Sequence, residues 1–170
     1  MNRILLPLFA LLLPSLAQAL HVRIPQTSVS VDVPADFILM PASVIASKYA
    51  RGTPPSTVYS SPGPNWAANI AFALRAQALP PGSLRNVEAG VEKSLEGAPG
   101  LRWVKRGVVN VGGREWIALQ FWVDGLDAPI YNHLRITREG KGTLLVTANV
   151  SQAAFAKYGP ELDAAMNGLK

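Results

Sequence analysis

Residues 101–150, LRWVKRGVVNVGGREWIALQFWVDGLDAPIYNHLRITREGKGTLLVTANV, decide the fold. Apolar and polar residues alternate with period two over four runs: Leu101 to Val111, Glu115 to Asp124, Ile130 to Glu139 and Thr143 to Val150. Gly112-Gly113 and Gly140-Lys141-Gly142 join the outer pairs, where tight hairpin turns need positive φ. A longer connection, Gly125 to Pro129, joins the middle pair. The spacing predicts four successive antiparallel strands.

Upstream, Asn69 to Leu79 reads as a strand with Ile70, Phe72 and Leu74 on one face. Pro80-Pro81-Gly82 ends it. Ser83 then opens a helix with Leu84, Val87, Val91 and Leu95 spaced by three and four. Val29, Val31 and Val33 alternate with polar residues at the end of an extended stretch from Leu20. Ala42 to Ala50 reads as a short helix, and Thr57 to Tyr59 as a brief strand inside a Pro-rich loop spanning residues 52–64. Downstream, a closing helix carries Phe155, Tyr158, Leu162, Met166 and Leu169 on one side. Ser151 is placed to cap it, and Gly159-Pro160 to kink it. The sum is an α+β domain: a twisted, mainly antiparallel sheet with helices packed on it.

Residues 1–19 read as a signal peptide. Arg3 supplies the positive charge, Ile4 to Leu13 the apolar run, and Ala17-Gln18-Ala19 the small-x-small cleavage pattern. The run is shorter than the about 20 residues needed to span a bilayer. A soluble periplasmic or secreted chain starting at Leu20 is expected, with no integral membrane segment. Residues 20–170 are one domain by length. That chain keeps 15 Lys+Arg against 11 Asp+Glu, a mild +4 with the basic residues dispersed. Nucleic acid is therefore not an expected partner. Cysteine is absent, which excludes disulfides, a thiol nucleophile and Cys-metal sites.

The order of elements resembles the PsbP-like superfamily, and within it the bacterial DcrB-type periplasmic proteins. Four stretches carry the resemblance. They are the strand Asn69–Leu79 with the helix opening at Ser83; the hairpin Val111-Gly112-Gly113-Arg114-Glu115-Trp116; Thr147 to Val150 followed by Phe155 to Leu162 and the final Gly168-Leu169-Lys170; and the start Val31-Asp32-Val33-Pro34-Ala35-Asp36-Phe37. The resemblance implies an α-β-α sandwich and a binding or accessory role. It implies no catalytic residues.

Chemistry-bearing residues are sparse. His21 and His133 are the two histidines, with no carboxylates clustered to complete a metal site, and no Gly-x-Ser-x-Gly elbow exists. Asp124 and Asp127 share a loop, where turn chemistry is the ordinary explanation. Neither a cofactor nor a metal is expected.

The informative pattern is a two-sided sheet. Ile117, Leu119, Phe121 and Val123 point one way, with Ile130, Leu134 and Ile136 and with Leu144, Val146 and Ala148. This apolar face is expected to take the helices, including Phe155, Leu162 and Leu169. The opposite face is expected to carry Trp116, Gln120, Trp122, Tyr131, His133, Arg135, Thr137 and Thr147, with Arg75 and Gln77. Aromatics mixed with Arg and His suit a contact surface. Partner-binding residues are therefore expected at Trp122, Tyr131, His133, Arg135, Trp116 and Arg75, unless Ala42–Tyr59 covers this face as a second layer. The expected function is a non-enzymatic accessory protein that contacts another protein, a toxin-immunity or assembly factor among the versions. The alternative is a carrier of a small amphipathic ligand. A hydrolase is the third class, and would need facing acids or His133 beside a Ser.

Overall fold

The computed structural model describes residues 19–50, 52–63 and 65–170. The expected signal peptide, apart from Ala19, lies outside the described residues. Among those described, no helix is long and apolar enough to cross a membrane.

Among the described residues, nine strands and three α-helices form. Strands β1 (Leu20–Arg23) and β2 (Ser30–Val33) pair as a hairpin of their own, where the sequence suggested one extended stretch. Then come β3 (Ile38–Leu39), α1 (Ala42–Lys48), β4 (Thr57–Ser60), β5 (Ala68–Arg75) and α2 (Leu84–Leu95). The four long strands follow as β6 (Arg102–Val111), β7 (Arg114–Asp124), β8 (Pro129–Glu139) and β9 (Gly142–Ser151), and α3 (Phe155–Asn167) closes the chain. Strands β3 to β9 make one fully antiparallel sheet in the order β3-β4-β5-β9-β8-β7-β6.

Helices cover both faces, giving the α-β-α sandwich. On one face, α2 packs Leu84 and Val87 onto Ile117, Leu119, Phe121 and Ile136, while α1 packs Ile45 with Met40, Val58 and Ala71. On the other, α3 and the β1–β2 hairpin bury Ile70, Phe72, Leu144, Val146, Ala148 and Val150 under Leu162, Met166, Val31 and Phe37. The backbone of Lys170 exchanges two hydrogen bonds with Ser30, both 3.0 Å, and so ties the hairpin to the chain end.

Four expectations are corrected here. The closing helix lies on the face of Tyr131 and His133, not on the Ile117 face. Leu144, Val146 and Ala148 also belong to the Tyr131 face. The two-residue turn Gly140–Lys141 pairs Glu139 with Gly142, which sets Leu144 beside Thr137 and Val146 beside Arg135. Directly paired residues share a face, so β9 presents its even positions where β8 presents its odd ones. Thirdly, the Ser151 side chain makes no cap bond, because a short 3-10 turn, Gln152–Ala154, separates it from α3. The helix also runs unbroken through Pro160. Gly159 permits close packing: a Cβ there would lie 2.7 Å from the Phe155 ring.

Candidate functional site

Register places the site. Lys105 pairs with Gln120, Gln120 with His133, and His133 with Ala148, making one continuous row across the sheet. The next row runs Gly107, Ala118, Arg135, Val146. Trp116, Trp122, Tyr131, His133 and Arg135 do share one face, as period two requires. That face is covered, however, and by α3 rather than by Ala42–Tyr59. Trp116, Tyr131, His133 and Arg135 are all buried, while Trp122 is partly exposed. Trp122, Tyr131 and Phe155 pack ring on ring with centroids 4.9 to 5.4 Å apart. Arg75 is on the opposite face, paired with Thr143, and donates to the Thr53 and Pro54 carbonyls at 2.7 and 3.4 Å. Thr147, opposite Leu134, also belongs there.

Beneath α3 lies a polar network whose helical half the sequence reading missed. Tyr131 donates its hydroxyl hydrogen to Asp163 Oδ1 at 2.9 Å, and His133 Nδ1 sits 2.6 Å from the same oxygen. An ionised carboxylate only accepts, so the imidazole proton belongs on Nδ1. That leaves Nε2 as the ring's acceptor; the Gln120 amide nitrogen lies 3.5 Å from it and 3.2 Å from Nδ1. Burial pushes the His133 pKa down, against the opposing pull of Asp163, so the ring is neutral near pH 7. Burial, reinforced by Asp163, pushes the Tyr131 hydroxyl up.

Arg135 is the exceptional member. It is 3% exposed, and its Nη2 donates to Asn167 Oδ1 at 2.7 Å. Its Nε and Nη1 have no hydrogen-bond partner among the described residues. Burial lowers its pKa, which Asp163 and Tyr131 partly restore, but a guanidinium stays charged. An unpaired buried cation is costly, and such costs accumulate where something other than stability is served.

Arg135 lines a half-enclosed cleft of about 310 Å³, with Lys105, Asn110, Gln120, His133 and Asn167 around it. Its wall is small beside Arg135: Ala118, which pairs directly with Arg135 across β7 and β8, lines it. Exposed Arg102 continues the positive charge along β6 and stacks over Trp122 at 6.0 Å. The lining contains no Ser, Thr or Cys for His133 to activate. Among the described residues, no three His, Cys, Asp or Glu side chains group to hold a metal ion. The cleft's chemistry is that of holding an electron-rich group. A second hollow, about 360 Å³ beside α1, has Lys48 at its wall, already donating to the Trp66 carbonyl at 3.3 Å.

Asp163 and Asn167 are four apart in α3 and so project on one side of it. That spacing, next to the Leu162 and Met166 stripe, was the available signal. It had no meaning until α3 was placed over His133 and Arg135.

Solved structures share this architecture. Cyanobacterial PsbP (CyanoP) from Synechocystis sp. PCC 6803 superposes with a TM-score of 0.56 at 11% identity, over 92% of this chain and 94% of that one. The fold is PsbP-like. LpqN, involved in cell envelope biogenesis of Mycobacterium tuberculosis, gives 0.55 at 14% identity, over 90% of each chain. The Saccharomyces cerevisiae Ran-binding protein Mog1p gives 0.55 at 12% identity, over 89% and 94%. No family model and no curated protein matches the sequence. Similarity at these identities establishes the fold.

Proposed function

We propose that this chain is a non-enzymatic accessory protein of the DcrB type, exported and contacting another protein through the β6 edge and the cleft beside α3. The observation carrying this reading is Arg135, buried at the cleft wall with Nε and Nη1 unpaired. Recognition surfaces combine such a desolvated donor with an accessible charged rim, here Arg102 and Lys105. Two of the structurally similar proteins point the same way: one is named for binding Ran, the other for envelope biogenesis. Of the residues expected to contact a partner, Arg135, His133 and Trp122 keep that role at this edge. Trp116 and Tyr131 support them from beneath, and Arg75 belongs to the opposite face.

The amphipathic-carrier reading is less favoured, because Trp122 and Tyr131 close on Phe155 and the cleft lining is polar. The experiment is cross-linking of residues 20–170 in periplasmic extract, with a photo-reactive group at position 102. A discrete adduct with one protein, lost in a Lys105→Glu variant, is expected. Adducts unchanged by that variant would reject this surface as the contact.

A further inference from the structure

We propose that the cleft between β6–β7 and the C-terminal end of α3 is a carboxylate-binding site, suited to an acidic side chain presented by a partner protein. The inference rests on the binding reading above and names the chemistry of its contact.

A guanidinium has five N–H groups. Nη2 serves Asn167, and neither Nε nor Nη1, with three N–H between them, has an acceptor among the described residues. Asp163 is the nearby carboxylate, but Oδ1 already serves Tyr131 and His133, and Tyr131 also lies 3.2 Å from Oδ2. The charges at the cleft itself are Arg135 and Lys105 against neighbouring Asp163, with His133 neutral; Arg102 lies outside the lining, over Trp122. The carbonyl end of α3 counts as about half a negative charge. The balance is about half a unit positive, which accommodates one negative charge better than two. A carboxylate fits that balance; a phosphate dianion would leave excess negative charge in a half-enclosed space. Further donors are already in place, since Gln120 and Asn110 line the same cleft. Ala118, the small residue paired with Arg135, lines the cleft where a larger side chain would fill it.

The test follows the Arg135 Nε–Hε resonance of ¹⁵N-labelled residues 20–170 at constant ionic strength. The probes are succinate, inorganic phosphate, an end-blocked Ala-Glu-Ala peptide and its Ala-Gln-Ala counterpart. A saturable shift with the Glu peptide or succinate, and none with the Gln peptide, is the expected result. The tighter of the two says whether a protein side chain or a free acid is the better occupant. Ala118→Leu, which fills the space beside Arg135, should abolish the shift; because Ala118 is buried, its reading is taken only where the variant still unfolds cooperatively. Lys105→Glu, an exposed change, should weaken binding at least about fivefold. Saturation by phosphate alone, or no saturable shift with any probe, would overturn the proposal. A cross-linked partner that persists in Ala118→Leu would leave protein binding standing and remove the carboxylate contact. A carboxylate shift without any cross-linked partner would do the reverse.

Discussion

His133 Nδ1 lies 2.6 Å from Asp163 Oδ1, joining the middle of β8 to the middle of α3 across 30 residues of sequence. This pair and the Tyr131 bond to the same carboxylate hold the closing helix in register over the sheet. Apolar packing alone tolerates sliding; directed bonds to one carboxylate do not.

Asp163→Ala should therefore cost more than an ordinary surface change. It strands the Tyr131 hydroxyl and the His133 N–H beneath α3, each at about 1–3 kcal/mol. Urea unfolding should show a loss of about 2–5 kcal/mol. A loss below about 0.5 kcal/mol would mean the network does not hold the helix.

Stability should fall in mild acid. The folded-state pKa of His133 is below its ordinary value of 6.5, so the unfolded chain takes up the proton first. The neutral-ring contribution is complete above about pH 6.5 and is lost as pH falls from there to the folded pKa. Asp163, Arg135, Tyr131 and Lys105 are the other titratable groups acting on the ring. Wild type should lose stability between pH 7 and 5.5. His133→Gln should flatten that part of the profile, and an unchanged slope would refute the assignment.

Leu162→Ala should cost about 2–5 kcal/mol, since Leu162 is fully buried in the core between α3 and the sheet. Leu126→Ala is the control: that residue is 94% exposed at the tip of the β7–β8 loop and should change stability by less than about 0.5 kcal/mol. Equal effects from the two would contradict the packing described.

Deleting Lys170 removes both of its backbone bonds to Ser30 and its side-chain contact with Asp32 at 3.1 Å. Hydrogen exchange at Ser30 should accelerate strongly, while the amides of β8 and β9 keep their protection. Uniform acceleration across the sheet would show that the hairpin and sheet open together.

Cleavage before Leu20 would leave β1 whole, since Leu20 is its first residue and pairs with Val33. N-terminal sequencing of exported protein should begin at Leu20. A start inside β1 would remove half the hairpin from the mature chain.

The elements themselves were legible. Period two in residues 101–150, the Leu84 to Leu95 spacing and the Phe155 to Leu169 stripe are local, and each maps onto an observed strand or helix. Period two on adjacent strands also puts Trp122, Tyr131, His133 and Arg135 on one face, and the β7–β8 register agrees.

What the sequence determined by itself was each element's own two-sidedness, because backbone geometry sets that period within a few residues. Which sides meet was decided by tertiary structure. The face of Arg75 depends on β5 pairing with β9, about 70 residues downstream, and no local pattern encodes that register. The layer chosen by α3 depended on which half-apolar face it could complete. Leu144, Val146, Ala148, Ile70 and Phe72 offered it an apolar bed, and His133 and Tyr131 offered Asp163 its partners. The cleft exists because those same contacts leave Arg135 incompletely paired beside the small side chain of Ala118. Such an arrangement is a property of three strands and a helix together, and of none of them alone.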